Sequence, residues 1–253
     1  MRITTPAFKV SGRELIKNGR EIVKRPEPAR LWRYHKPAGL LTTNSDPDGR
    51  STIFQELPKS LPRTITIGRL DYNTEGLLLL TNDGELARAL ELPSNAFDRT
   101  YRARAHGRIS QEKLDTLKAG IVVDGEQFGA ITATLERQTG ANSWITVTLA
   151  EGKKREVRRA LEALEMKVNR LIRISYGPFE LKDLKPGAVL EIPPEILLSK
   201  LGHLIPDANK PNARANSNSS STPRSRFSDR KKSDRHSSRR REKPSRARES
   251  DLE

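Results

Sequence analysis

Four consecutive leucines, Leu77–Leu80, stand between Gly76 and the turn-forming run Asn82-Asp83-Gly84. A half-wet strand alternates apolar with polar side chains, and a surface helix spaces its apolar residues three and four apart. An unbroken apolar run between turn residues fits neither pattern. It reads as a strand covered on both faces, so the chain must place packed layers on each side of a sheet.

The neighbouring segments supply those layers. "RTITIG", residues 63–68, alternates with period two as a strand does, and "ELARALEL" carries Leu86, Leu90 and Leu92 at helix-like spacing. "TYRARAHG" from Thr100 reads as a strand, and Ser110 can cap a helix over "QEKLDTLKAG" that stops at Gly120. Strands over about 130–136 and 143–149 flank the loop "RQTGAN" as a hairpin. A helix over about 154–165 lines up Val157, Leu161 and Leu164. The strand "VNRLIRISYG" follows, and "LKPGAVLEIP" closes the domain. Strands outnumber helices and hairpins recur, which predicts an α+β fold: a mixed, mostly antiparallel sheet with flanking helices.

Charge then narrows the partner. The 253 residues carry a formal net charge of +15, which points to a polyanion, and nucleic acid is the first candidate. Fourteen of the 47 basic side chains and seven of the 32 acidic ones fall after Pro206, so that segment carries +7 and the body is basic by itself at +8. With Phe227 as its single aromatic residue, the segment lacks the apolar surface to offset chain entropy and is expected to be a disordered basic tail over 206–253. A flexible solubilising end and an electrostatic RNA tether both fit it. No segment approaches the roughly 20 apolar residues that span a bilayer, and no signal-peptide core opens the chain, so a cytoplasmic protein without a membrane partner is expected. Cysteine is absent and the histidines, at 35, 106, 203 and 236, are scattered, which argues against a metal site.

Two places carry candidate chemistry. Asp71, in "GRLDYN", lies just ahead of the leucine run; it is either an ordinary turn residue or a carboxylate whose burial matters, and Arg69 lies within reach to pair with it in an extended segment. In "EGKKREVRRALEAL", Lys153, Lys154, Arg155, Arg158 and Arg159 crowd the start of the expected helix. Cations there oppose the helix dipole by a few tenths to about 1 kcal/mol each. A solvated charge run is possible, but bound phosphate accounts for the arrangement better. Tyr101, in the strand from Thr100, is by default a core aromatic.

Five segments in this order, "HKPAGL", "GRLDYNTEGLLLLTNDG", "RTYRARAHG", "EGKKREVRRALEAL" and "VNRLIRISYGPFEL", resemble the successive motifs of the RsuA/RluB family of ribosomal RNA pseudouridine synthases, over about residues 27–202. The likeness extends to the B-type members that act on large-subunit rRNA. It implies a pseudouridine synthase fold and an isomerase that detaches uracil at N1 and rejoins it through C5. By the same resemblance Asp71 is the catalytic aspartate, Tyr101 stacks on the target uracil, and Arg158 pairs with Asp71, with Arg69 in the same motif. Lys36, Lys153, Lys154, Arg155 and Arg159 are then RNA-binding candidates. The partner implied is rRNA or a pre-ribosomal particle, met by a monomer that uses no metal or organic cofactor. Asp71 is expected on the floor of a cleft that largely excludes water, because a detached base or activated sugar would otherwise be hydrolysed. Residues 1–28 look like the closing hairpin of an S4 RNA-binding module, 29–205 like the catalytic domain. Glu156 stands where many relatives carry Gln, at what is expected to be a surface turn. A non-catalytic rRNA-binding or ribosome-assembly protein is the competing reading, and Asp71, Tyr101 and Arg158 together weigh against it.

Overall fold

The computed structural model describes residues 16–22 and 27–212. In chain order the strands are β1 (Lys17–Asn18), β2 (Glu21–Ile22), β3 (Leu31–Lys36), β4 (Ile65–Ile67), β5 (Thr74–Thr81), β6 (Arg99–His106), β7 (Ile121–Val123), β8 (Glu126–Phe128), β9 (Ile131–Thr139), β10 (Asn142–Leu149), β11 (Lys167–Tyr176), β12 (Phe179–Glu180) and β13 (Val189–Glu191). The helices are α1 (Ile53–Glu56), α2 (Gly84–Glu91), α3 (Gln111–Asp115), α4 (Glu156–Ala163) and α5 (Pro194–Leu201).

One mixed sheet runs β13-β3-β5-β11-β6-β10-β9, with β4 paired on β5 and β12 on β11. Among the described residues β5 and β11 pair in parallel and the other strand pairs are antiparallel, as expected from the frequent hairpins. The leucine run explains why β5 is central. Leu77 and Leu79 join a core with Leu86 and Leu90 of α2 and Leu197 and Leu201 of α5, whereas Leu78 and Leu80 pack with Trp32, Tyr34, Ile53 and Leu70. Each leucine is 0% exposed, so the strand is covered on both faces. A third core, from β6, β9 and β10 with α3 and α4, fills the other half of the sheet.

Local signals set the element ends. The Asp83 carboxylate accepts from the amides of Glu85 and Leu86 at 2.8 and 3.0 Å and starts α2. Ser110 accepts from Lys113 N and starts α3, and Gly120, at φ 80°, ends the turns that follow. The β9–β10 hairpin is tighter than expected: the strands reach Thr139 and Asn142, leaving only Gly140 and Ala141 between them.

The domain does not close at β13. Helix α5 buries Leu197 and Leu201, and the chain then docks on the segment ahead of β3 and on the start of α2, where Asn209 O accepts from Ala29 N and Asn209 Nδ2 donates to the Asp83 carboxylate, both at 2.8 Å. Packing therefore continues past residue 205. The expected tail lies outside the described residues beyond 212, as does most of the expected S4 remnant over 1–28, of which β1 and β2 form an antiparallel pair. No helix among the described residues is long and apolar enough to cross a membrane.

Candidate active site

The turn between β4 and β5 carries Asp71 into a cleft of about 1320 Å³, which Arg69, Tyr101, Lys153, Lys154 and Arg155 also line. The turn is held through its backbone. Thr42 Oγ1 donates to Leu70 O at 2.9 Å, Thr74 N to Asp71 O at 3.0 Å, and Gly39 N to Tyr72 O at 2.9 Å. Two buried cations complete the grip. Lys36 Nζ donates to the carbonyls of Pro37, Tyr72 and Thr74 at 2.9, 3.3 and 3.0 Å, and Arg158 Nη2 donates to Asn73 O at 3.2 Å. Burial lowers the Lys36 ammonium to about 8, against the opposing pull of Asp71 and Glu75. Burial also lowers the Arg158 pKa, and neighbouring Arg155 adds to the effect.

This geometry corrects several expectations. Asp71 is not dry: 41% of its side chain is exposed, because the turn is anchored by carbonyls and leaves the carboxylate free in an open cleft. Its ion pair is with Arg155, at 4.0 Å, rather than with Arg158 or Arg69. The start of α4 decides this. Arg155 caps the helix in the left-handed conformation, at φ 53°, and stands exposed in the cleft; Arg158, one turn in and 6% exposed, spends its fork on Val168 O and Asn73 O.

Lys36, expected to meet RNA, is 0% exposed, does not line the cleft and spends its three donors on carbonyls; it braces the Asp71 turn. Arg159 faces away from the cleft, bonded to Glu126, Asp124 and Val123 O of the β7–β8 hairpin and stacked 4.8 Å from the Phe128 ring. Glu156 is not at a surface turn. It is 3% exposed, accepts from Lys153 N at 2.9 Å, and its pKa is raised by burial.

Sequence reasoning passed over four other cleft residues. Arg50 is clamped by Asp46 and Asp48 at 2.7 and 2.8 Å. Arg99 donates to the carbonyls of Phe97, Ala150 and Glu151, and to the Tyr176 hydroxyl at 2.9 Å. Arg173 is 2% exposed, and Tyr176 lies between it and Arg99. A signal existed for Arg173: it shares the strand face of Leu171, an apolar position where a charge is out of place.

An exposed carboxylate and an aromatic ring in one cleft, rimmed by Arg69, Lys153, Lys154 and Arg155, suit chemistry on an anionic substrate with a flat base. Residues 30–163 match the family of RNA pseudouridylate synthases. An uncharacterized RNA pseudouridine synthase of Rickettsia felis is 47% identical over 195 residues, 77% of this chain and 84% of that protein. The ribosomal large subunit pseudouridine synthase B of Yersinia pestis is 44% identical over 165 residues, 64% of this chain and 52% of that protein. A crystal structure of a pseudouridylate synthase superimposes with a TM-score of 0.61 at 26% identity, covering 79% of this chain and 85% of that one. The fold, the motifs and these relatives agree: the chain belongs to the RNA pseudouridylate synthase family and is an isomerase that converts uridine in RNA to pseudouridine.

Proposed function

We propose that the chain isomerises a uridine of large-subunit ribosomal RNA, as a monomer in the cytoplasm, and that residues 29–205 perform the chemistry with Asp71 as the catalytic carboxylate. The observation that carries this reading is Asp71, partly exposed and facing Arg155 in a basic cleft that Tyr101 also lines. The large-subunit target is supported by the likeness to the Yersinia pestis enzyme.

In the reaction, the bond from the sugar to uracil N1 breaks with its electron pair on the base. Asp71 either bonds to the sugar carbon, in an ester that breaks when C5 later takes its place, or takes a sugar proton that is returned later. The base turns, C5 bonds to the sugar and loses its proton, and N1 gains one, so product and substrate are isomers. Tyr101 offers its ring to an extruded uracil. Lys153, Lys154, Arg155 and Arg69 offer cations to the RNA backbone, and the bound RNA supplies the water exclusion that the free cleft lacks. Arg155 and Arg158 keep positive charge close to the carboxylate.

Asp71→Asn tests the assignment. The variant is expected to fold and bind RNA as the wild type does and to form no product. Mapping rRNA pseudouridines by carbodiimide-adduct primer extension in a strain lacking the gene should show a missing site that the wild-type gene restores and the variant does not. A complete set of pseudouridines in the deletion strain would reject the activity.

A further inference from the structure

We propose that Arg173 is a substrate-binding residue of this cleft, whose unengaged guanidinium N–H groups receive negative charge from the target nucleotide. The inference rests on the reading of the cleft as the uridine-isomerising site and assigns a contact within it.

Strand register places Arg173. On β11 it pairs with Tyr101 of β6 on one side and with Gly76 of β5 on the other, so the three form one row across the sheet. Register-paired side chains share a face, which puts Arg173 beside Tyr101, and both line the cleft. The backbones of β5 and β11 approach closely there: a Cβ on Gly76 would lie 2.7 Å from Arg173 N and nearer still to its carbonyl oxygen. The β6–β11 register slips just after Arg173, between it and Ser175. The slip brings Tyr176, three residues on, opposite Arg99, two residues before Tyr101, and so back to the face of Arg173. The Tyr176 ring then stacks on both guanidinium groups, 5.1 Å from Arg173 and 4.7 Å from Arg99. Held in this way, the Arg173 fork has a defined orientation.

Its hydrogen bonds are incomplete. A guanidinium carries five N–H donors. Nε of Arg173 donates to Leu77 O at 2.7 Å, while Nη2 is buried with no partner, and no carboxylate among the described residues pairs with the group. The other cations at this floor have their terminal donors engaged. Lys36 has a carbonyl for each of its three donors, both terminal nitrogens of Arg158 are bonded although its Nε is buried without a partner, and Arg99 is engaged by three carbonyls and a hydroxyl. A buried, uncompensated charge is costly to keep. An anion arriving with the substrate removes that cost. The Thr74 hydroxyl, also buried without a partner and lining the cleft, is a second free group on β5, two residues from Gly76.

Two parts of the target nucleotide can supply the charge: a phosphodiester oxygen, anionic throughout, or a uracil carbonyl oxygen, which becomes anionic only when the sugar–N1 bond breaks and leaves its electron pair on the base. Both present oxygen acceptors to an arginine fork.

The experiment uses the full chain and an rRNA fragment with tritium at uridine C5. It measures tritium release in single turnover, RNA affinity across salt concentrations, and melting temperature for Arg173→Met and Arg173→Lys. A phosphate contact predicts affinity weakened about tenfold in a folded Met variant, a salt slope reduced by about 1, and a retained rate. A contact to the departing base predicts unchanged affinity and a rate lowered by about 10²–10³. Either result supports the proposal. It is overturned if the folded Met variant matches the wild type in both rate and affinity. Should the Met variant fail to fold, the Lys variant decides: a loss of at least about tenfold in rate or affinity supports the proposal, since lysine lacks the fork, and parity overturns it. A wild-type protein that binds the RNA but releases no tritium rejects the functional reading itself, which separates that failure from parity of the Arg173 variants.

Discussion

Lys36 and Asp71 are tied through the backbone: the buried ammonium donates to the carbonyls of Tyr72 and Thr74, which bracket the turn just after the carboxylate. A charge at the edge of β3 therefore fixes the position of a charge at the entrance to β5. Replacing Lys36 by Met leaves those carbonyls without their donor and frees the turn. Activity of Lys36→Met is expected to fall about 10²-fold, the size of effect that a displacement near 1 Å can produce.

The same lysine gives a signature in alkali. Its pKa is about 8 in the folded protein against an ordinary value of 10.5, so between those limits the unfolded chain binds more protons and stability rises with pH. Relative to Lys36→Met, the wild type is expected to gain about 3 kcal/mol from below pH 8 to above about pH 10.5. Urea denaturation of both proteins across that window checks this, and parallel curves would rule it out.

Glu156 predicts the reverse slope. Burial raises its pKa above the ordinary 4.5, so the folded carboxyl holds its proton to higher pH and ionisation at neutral pH weakens the fold. Glu156→Gln retains an oxygen to accept from Lys153 N and carries no charge. It is expected to be more stable than the wild type at pH 7, by about 1 kcal/mol, with the gain gone once the pH falls below 4.5. Calorimetry at the two pH values makes the comparison.

Gly76→Ala should fail structurally. The residue sits at φ 105°, and an added methyl would press on the Arg173 backbone, where β5 and β11 make the parallel pairing. Neither flaw has a flexible side chain to relieve it, so a loss of about 3 kcal/mol or more is expected. A melting temperature within a degree of the wild type would show that the strands can part cheaply.

Arg155 and Arg159, four residues apart on one basic motif, should separate binding from stability. Arg155→Ala is expected to weaken RNA binding and reduce its salt slope by about 1 without lowering the melting point. Arg159→Ala should leave the salt slope unchanged and lower the melting temperature, because it removes the clamp on β7–β8. Filter binding across salt concentrations and thermal melts on both variants test the division.

Much of the fold was legible because its signals are local. Leu77–Leu80 announced a doubly covered strand, and Ser110 announced a helix start through a side-chain oxygen three residues from the amide it serves, whereas Asp83 read only as part of a turn and its capping of α2 emerged from the structure. Helix α5 was missed because its moderate pattern "PEILLSKL" follows a strand that already reads as an end; only Leu197 and Leu201 against the distant α2 make it part of the core. At the site, the residue types were legible and their directions were not. Which of the arginines in "KKREVRRAL" meets Asp71 depends on the left-handed turn at Arg155, and an exposed Lys36 cannot be told from a buried one until β3, the 72–74 turn and β5 are assembled.

The openness around Asp71 has a consequence for selectivity. A loose nucleoside that drifts in meets an exposed acid in an open cleft, and on the proposed reading the covering wall is supplied by the folded RNA. Guest and lid are the same molecule, so the reactive chamber comes into being only around a polymer shaped to close it.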